Sequence, residues 1–160
     1  MIYYFDTNIL VTAQRLDFPV ETALDFWEWL AKLGKSGMVK IPEAVIGEIG
    51  RGNDPLSTWM SANHTLFHAP MTEALSSLPA VLNTYENPMQ AGTLEKIQVD
   101  ACVIAHAHAF PGEATVVTYE QPSKATVGKN KKIPSICKVL GTPCIRFPQF
   151  MWLMSDLGKK

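Results

Sequence analysis

Four carboxylates of this chain stand among residues that do not usually keep such company. Asp6 closes the apolar run Ile2-Tyr3-Tyr4-Phe5. Glu48 lies one step from the apolar stripe Val45, Ile46 and Ile49. Asp100 is embedded in a stretch of Ala, Val and Ile, and Glu120 follows the run Val116-Val117 closely. Four half-buried carboxylates in one pocket would repel each other, and their pKa values would rise unless a cation neutralised them. A set of oxygen ligands without His or Cys suits a hard cation, Mg²⁺ or Mn²⁺, better than zinc. The chemistry open to such a set is the binding of a hard divalent cation. Taken singly, each acid has a plainer use. Asp6 could cap a helix starting near Asn8, Glu48 could be a solvated flank, Asp100 a helix-start residue and Glu120 a loop acid.

The elements that must position these acids alternate short apolar runs with helical stretches. That alternation predicts an α/β fold, one domain over 1–160, with a mostly parallel central sheet flanked by helices. Ile2 to Phe5 is expected to be a buried first strand. The spacing of Leu24, Phe26, Trp27, Leu30 and Leu33 predicts a helix over 22–33, with Gly34 as its stop. A strand is expected over 38–41, then a helix opened by Pro42 and ended by Gly50-Arg51-Gly52-Asn53. A short helix over 54–60, capped by Asn53 or Asp54, a strand over 66–68 and a helix over 72–82 follow. The density of small residues over 94–109 predicts a helix packed closely on the sheet. Ala114 to Thr118 is the clearest strand. A helix over 134–140 and a strand over 143–145 come next. Phe147, Phe150, Met151 and Met154 recur at the spacing of an amphipathic helix, expected to bury against the domain or a second copy.

Composition narrows the class. The chain has 160 residues, 47% of them apolar, which suffices for one domain with its own core and excludes a disordered chain. Three cysteines without CxxC spacing exclude a disulfide scaffold and point to reduced thiols in or near the core. No run approaches the roughly 18 apolar residues of a membrane span. The opening residues lack a basic leader, so a soluble, cytoplasmic protein is expected. The net charge of −1 hides an asymmetry: residues 1–120 carry 6 Lys/Arg against 14 Asp/Glu, and residues 121–160 carry 8 against 1. An acidic pocket beside a basic strip for a polyanion is the sharper reading of that split, and two solvated faces the plainer one.

Tyr4-Phe5-Asp6-Thr7-Asn8-Ile9-Leu10 resembles the opening of a PIN domain, the ribonuclease fold of VapC-like toxins. Pro42-x-x-Val45-x-x-Glu48-Ile49 resembles the family's second acidic motif, and Val99-Asp100-x-x-x-Ile104-Ala105-x-Ala107 the third. Val116-Val117-Thr118-Tyr119-Glu120 resembles the fourth, with Glu where many members have Asp. The stretches Phe26 to Leu30 and Lys132 to Cys137 resemble a little-described PIN-like branch found in prokaryotic toxin–antitoxin-type gene pairs. The resemblance implies a Mg²⁺- or Mn²⁺-dependent endoribonuclease leaving a 5′-phosphate and a 3′-hydroxyl. It implies that Asp6 and Asp100 hold the metal, that Glu48 and Glu120 complete the site or orient water, and that Asn8 and Thr118 support them. Glu120, one methylene longer than Asp, is expected to act through water. A protein antitoxin, as in a type II pair, and a homodimer are the partners so implied.

Other residues carry weaker signals. His106 and His108 do not share a helix face, so neither is expected to ligate metal. Lys124, Lys129, Lys131 and Lys132 are candidates for RNA-backbone contact, against a plainly solvated loop. The four tryptophans are expected in the core. Three other readings compete with the nuclease. One is a degenerate PIN-like module that binds RNA or a regulatory protein without cleaving. Another is a structure-specific DNA nuclease, for which the chain lacks an arch. The third is a phosphotransfer receiver domain, which needs an Asp at the end of the third strand and a Lys at the end of the fifth.

Overall fold

The computed structural model describes residues 1–85, 93–122, 124 and 131–157, without the side chains of 93–97, 156 and 157. Its centre is a five-stranded sheet: β1 (Ile2–Phe5), β2 (Val39–Pro42), β3 (His68–Ala69), β4 (Ala114–Thr118) and β5 (Cys144–Arg146). All pairings are parallel, in the order β3-β2-β1-β4-β5. Parallel pairs need crossovers, and the crossovers here carry the helices. Eight α-helices are described: α1 (Thr7–Thr12), α2 (Leu24–Lys35), α3 (Glu43–Gly50), α4 (Pro55–Asn63), α5 (Leu78–Asn83), α6 (Thr93–His108), α7 (Ile133–Leu140) and α8 (Phe147–Leu157). The α/β architecture with a parallel sheet is thus as the alternating pattern indicates.

Strand order matters for the site. From β1 the chain builds outward through β2 and β3, then returns to place β4 on the other side of β1. The two wings diverge at β1 and β4. In an open parallel sheet, that switch point leaves a crevice at the carboxyl ends of the strands. The register pairs Phe5 with Val117, so the next residues on each strand, Asp6 and Thr118, emerge side by side at its mouth.

Burial follows the apolar pattern. β4 is buried at every position, as a central strand covered on both faces should be. Ala101, Val103, Ile104, Ala105 and Ala107 are buried, and the small side chains let α6 lie close on β1, β2 and β4. The Phe147, Phe150 and Met154 stripe is buried against its own domain, with Phe150 in edge contact with Tyr3 and Phe5 at centroid distances of 5.0 Å. Each such aromatic pair contributes about 1 kcal/mol beyond area burial.

Several local expectations need correction. The segment 72–82 is a 3₁₀ turn at Met71–Glu73, further turns, and a helix only from Leu78. Pro79 has no N–H to donate and so fits the first turn of α5, not the interior of a longer helix. Gly34 does not stop α2. It lies in its last turn, where a side chain would run into the Phe67 ring; the left-handed residue beyond the helix is Gly37, φ +76°. Leu24 is exposed and Trp152 is 63% exposed, while Trp27 is buried and Trp29 and Trp59 pack against the core. The third strand is His68–Ala69, later than the 66–68 run. Asp54, not Asn53, caps α4, accepting from Ser57 N at 2.9 Å. The cysteines are free, two of them buried. Among the described residues, no helix is long and apolar enough to cross a membrane.

Candidate functional site

The corner begins with the chain leaving β1. Asp6 stands at the N-cap position of α1 yet makes no side-chain cap. Its carboxylate instead accepts the Thr118 hydroxyl at 2.9 Å, across the switch point. The plain capping role is therefore not what fixes this side chain. Thr118 in turn accepts from Asn8 Nδ2 at 3.2 Å and from Glu120 N at 3.1 Å. Asn8 Oδ1 accepts from Tyr119 N at 3.0 Å. Asn8 and Thr118 thus tie the ends of β1 and β4 together and set the orientation of Asp6.

Asp6 is only 3% exposed. Burial pushes its pKa up to about 7, the Thr118 hydrogen bond opposes the rise, and the charges of Glu120 and Glu48 add to it. Asp100 sits within α6 rather than at its start, so the helix-start reading fails. Burial, then Asp6, Glu120 and Glu48, push its pKa up to about 8, with Lys132 pulling the other way. The four acids separated by up to 114 positions in the chain therefore act on one another in space. Raised carboxyl pKa values reflect the cost of keeping these groups charged without a neutralising partner.

Glu48 and Glu120 are held differently. Glu48 is on α3, which packs against α1 and α6, and it accepts the Thr7 hydroxyl at 2.6 Å on the exposed side of the corner. A cavity of about 230 Å³ opens there, bounded by Thr7, Val11, Glu48 and Leu56. Glu120 is partly buried, and both its oxygens are engaged. Oε2 accepts from Ile133 N at 3.0 Å, at the start of α7, and Oε1 faces Lys132 Nζ at 3.4 Å. Its charge favours the helix N-terminus.

The basic candidates separate. Lys132 is paired with Glu120 and acts on the acidic corner. Lys131 Nζ donates to Thr84 O at 2.7 Å. Lys124 is exposed, and Lys129 lies outside the described residues. His106 is buried, between Cys102 O and Pro70 O, and His108 meets Thr142 Oγ1. Neither histidine joins the corner. Among the described residues, no three His, Cys, Asp or Glu side chains are gathered as a ready metal cage.

Two residues of the corner escape sequence reasoning. Thr7 is the neighbour of Asp6 and carries a weak signal within Asp6-Thr7-Asn8. Tyr85 carries none. It is fully buried beyond α5, its hydroxyl has no hydrogen-bond partner among the described residues, and the charges of Asp100, Glu120 and Asp6 bear on it. A larger cavity of about 510 Å³ lies elsewhere, between α3, α5 and α6. It is lined mainly by apolar side chains, and its single carboxylate, Glu43, already accepts from Met71 N.

No curated protein and no solved structure matches this chain. A family model does, over residues 3–154, and the chain therefore belongs to DUF4411, a domain of unknown function.

Proposed function

We propose that this chain is a divalent-cation-dependent endoribonuclease. The observation that carries the reading is a buried Asp6 and a half-buried Asp100, both held far above the ordinary carboxylate range, with the charge of Asp6 acting on Asp100. The donor set fits a hard cation: it is all oxygen, it is short of positive charge, and a buried hydroxyl beside it lacks a partner. Asp6 and Asp100 would hold Mg²⁺ or Mn²⁺. When bound, the ion supplies charge stabilisation for phosphoryl oxygens and a better water nucleophile. Thr118 keeps the Asp6 oxygens turned into the corner. Glu48, on the exposed side with Thr7, would orient water or substrate. Glu120, with both oxygens engaged, supports an outer role, acting through water and organising α7 and Lys132. RNA as the polymer, a protein antitoxin, a homodimer and a cytoplasmic setting rest on the likeness to PIN toxins.

One observation favours a second reading. The absence of a ready three-ligand cage among the described residues suits a degenerate PIN-like module that binds RNA or a regulatory protein without cutting. A receiver domain is disfavoured, because β3 ends at Ala69 and is followed by Pro70, with no acid to phosphorylate. Incubation of the purified protein with mixed cellular RNA and Mn²⁺ separates the two readings. The nuclease gives fragments with 5′-phosphates that vanish with chelator and in Asp100→Asn. The module binds RNA and leaves it whole.

A further inference from the structure

Among the described residues two buried phenols lack a hydrogen-bond partner, those of Tyr4 and Tyr85, and of the two only Tyr85 feels the charges of Asp6, Asp100 and Glu120. Its ring is enclosed completely, as a core aromatic would be, yet Oη meets no donor or acceptor among the described residues. A buried hydroxyl without a partner is costly, and most proteins avoid it. Two features fix the backbone that carries it. α5, which leads into it, packs against α6, the helix of Asp100. The adjacent Thr84 carbonyl is clamped by Lys131 Nζ at 2.7 Å, which ties it to the segment that carries Lys132 and leads into α7. Burial first, and then the charges of Asp100, Cys137, Glu120 and Asp6, hold the hydroxyl well above the ordinary tyrosine range, so it stays a protonated donor and not a base.

We propose that Tyr85 is the hydrogen-bond donor of the acidic corner: its phenolic O–H donates to an oxygen that enters with the cation, a bound water or a phosphoryl oxygen. The proposal rests on the reading of the corner as a cation-dependent phosphodiesterase site. It assigns Tyr85 a task the acids cannot perform. Ionised carboxylates only accept hydrogen bonds, and a phosphate arriving among them needs a proton donor that carries no negative charge. Thr118 cannot serve, because its hydroxyl proton is already given to Asp6.

Tyr85→Phe tests this, since Phe keeps the ring that fills the site. The readout is the near-ultraviolet difference spectrum of tyrosine, wild type against Tyr85→Phe, on adding Mn²⁺ alone and then Mn²⁺ with a nucleoside 5′-monophosphate. The expected result is a tyrosine band present in wild type and missing in the variant, with Mn²⁺ affinity preserved within about threefold. A band with Mn²⁺ alone assigns water as the acceptor, and a band only with the nucleotide assigns a phosphoryl oxygen. Cleavage by Tyr85→Phe should fall about 100-fold in kcat with little change in KM, the cost typical of removing one such donor. Identical spectra in both arms, from a wild type that does bind Mn²⁺, overturn the assignment to Tyr85 alone. A wild type that binds no Mn²⁺ overturns the cation site itself, and the Tyr85 proposal with it.

Discussion

Replacing Asp6 by Asn should stabilise the metal-free protein at neutral and alkaline pH. Asp6 has its pKa pushed from 3.8 up to about 7 by burial and by neighbouring acids. Between those values the native state binds a proton that the unfolded chain releases. Stability is therefore highest in acid and falls as pH rises through about 7. The full rise corresponds to about 4 kcal/mol as an upper bound. Part of it is repulsion shared with Glu120 and Glu48, so removing one acid recovers roughly half, about 2 kcal/mol. For a domain of this size that is roughly 4–8 °C in Tm. Asn retains an oxygen for the Thr118 hydroxyl, so the strand-end tie survives. The assay is thermal unfolding by circular dichroism in chelator at about pH 5 and about pH 8. Wild type should melt lower at the higher pH, and Asp6→Asn should melt above wild type there. With millimolar Mn²⁺ at the higher pH the order should reverse, because only wild type gains from binding. A wild type equally stable at both pH values in chelator would refute the reasoning.

Further outcomes follow from the same geometry. Glu120→Gln should keep most of the cation affinity and lose less cleavage than Asp6→Asn or Asp100→Asn, measured by calorimetry and single-turnover cleavage; equal loss in all three would make Glu120 a direct ligand. Lys124→Ala with Lys129→Ala should flatten the salt dependence of RNA binding by about 0.7 log units for each lysine that touches phosphate, and an unchanged slope would make them plain solvent contacts. Lys132→Ala should act otherwise, raising the pKa of Asp100 further, seen as a pH–rate profile displaced to higher pH. Gly34→Ala should destabilise by roughly 1–3 kcal/mol, since a methyl there must displace the Phe67 ring; denaturant unfolding reads this directly.

Much of the frame was legible because its strands are short apolar runs with clear ends. Ile2 to Phe5 and Ala114 to Thr118 could be read as strands, and parallel pairing then brings the acids that follow them to one edge. The four carboxylates could be picked out because each sits beside apolar residues. What stayed hidden depends on tertiary packing. The helix Thr7–Thr12, which the sequence offered only through Asp6 as a possible cap, is rich in β-branched residues of modest helix propensity and buries Ile9 and Leu10. The helix expected over 72–82 is mostly turns, with Pro79 near the start of its helical end. Tyr85 is a lone aromatic in a polar stretch with no periodicity to mark it. The lysines near 130 read as one basic strip, yet Lys131 and Lys132 have specific protein partners, which charge pattern alone does not reveal.

The most direct test is a calorimetric titration of Mn²⁺ into wild type, Asp6→Asn and Asp100→Asn at neutral pH, in buffers of differing ionisation enthalpy. With their pKa values raised to about 7 and about 8, Asp6 is partly and Asp100 mostly protonated there when no cation is bound, so binding must expel protons. Wild type should bind at millimolar concentration or tighter and release about one proton or more, and both variants should lose the binding. No binding to wild type, or binding that persists unchanged in both variants, would contradict the claim that these two aspartates form a cation site.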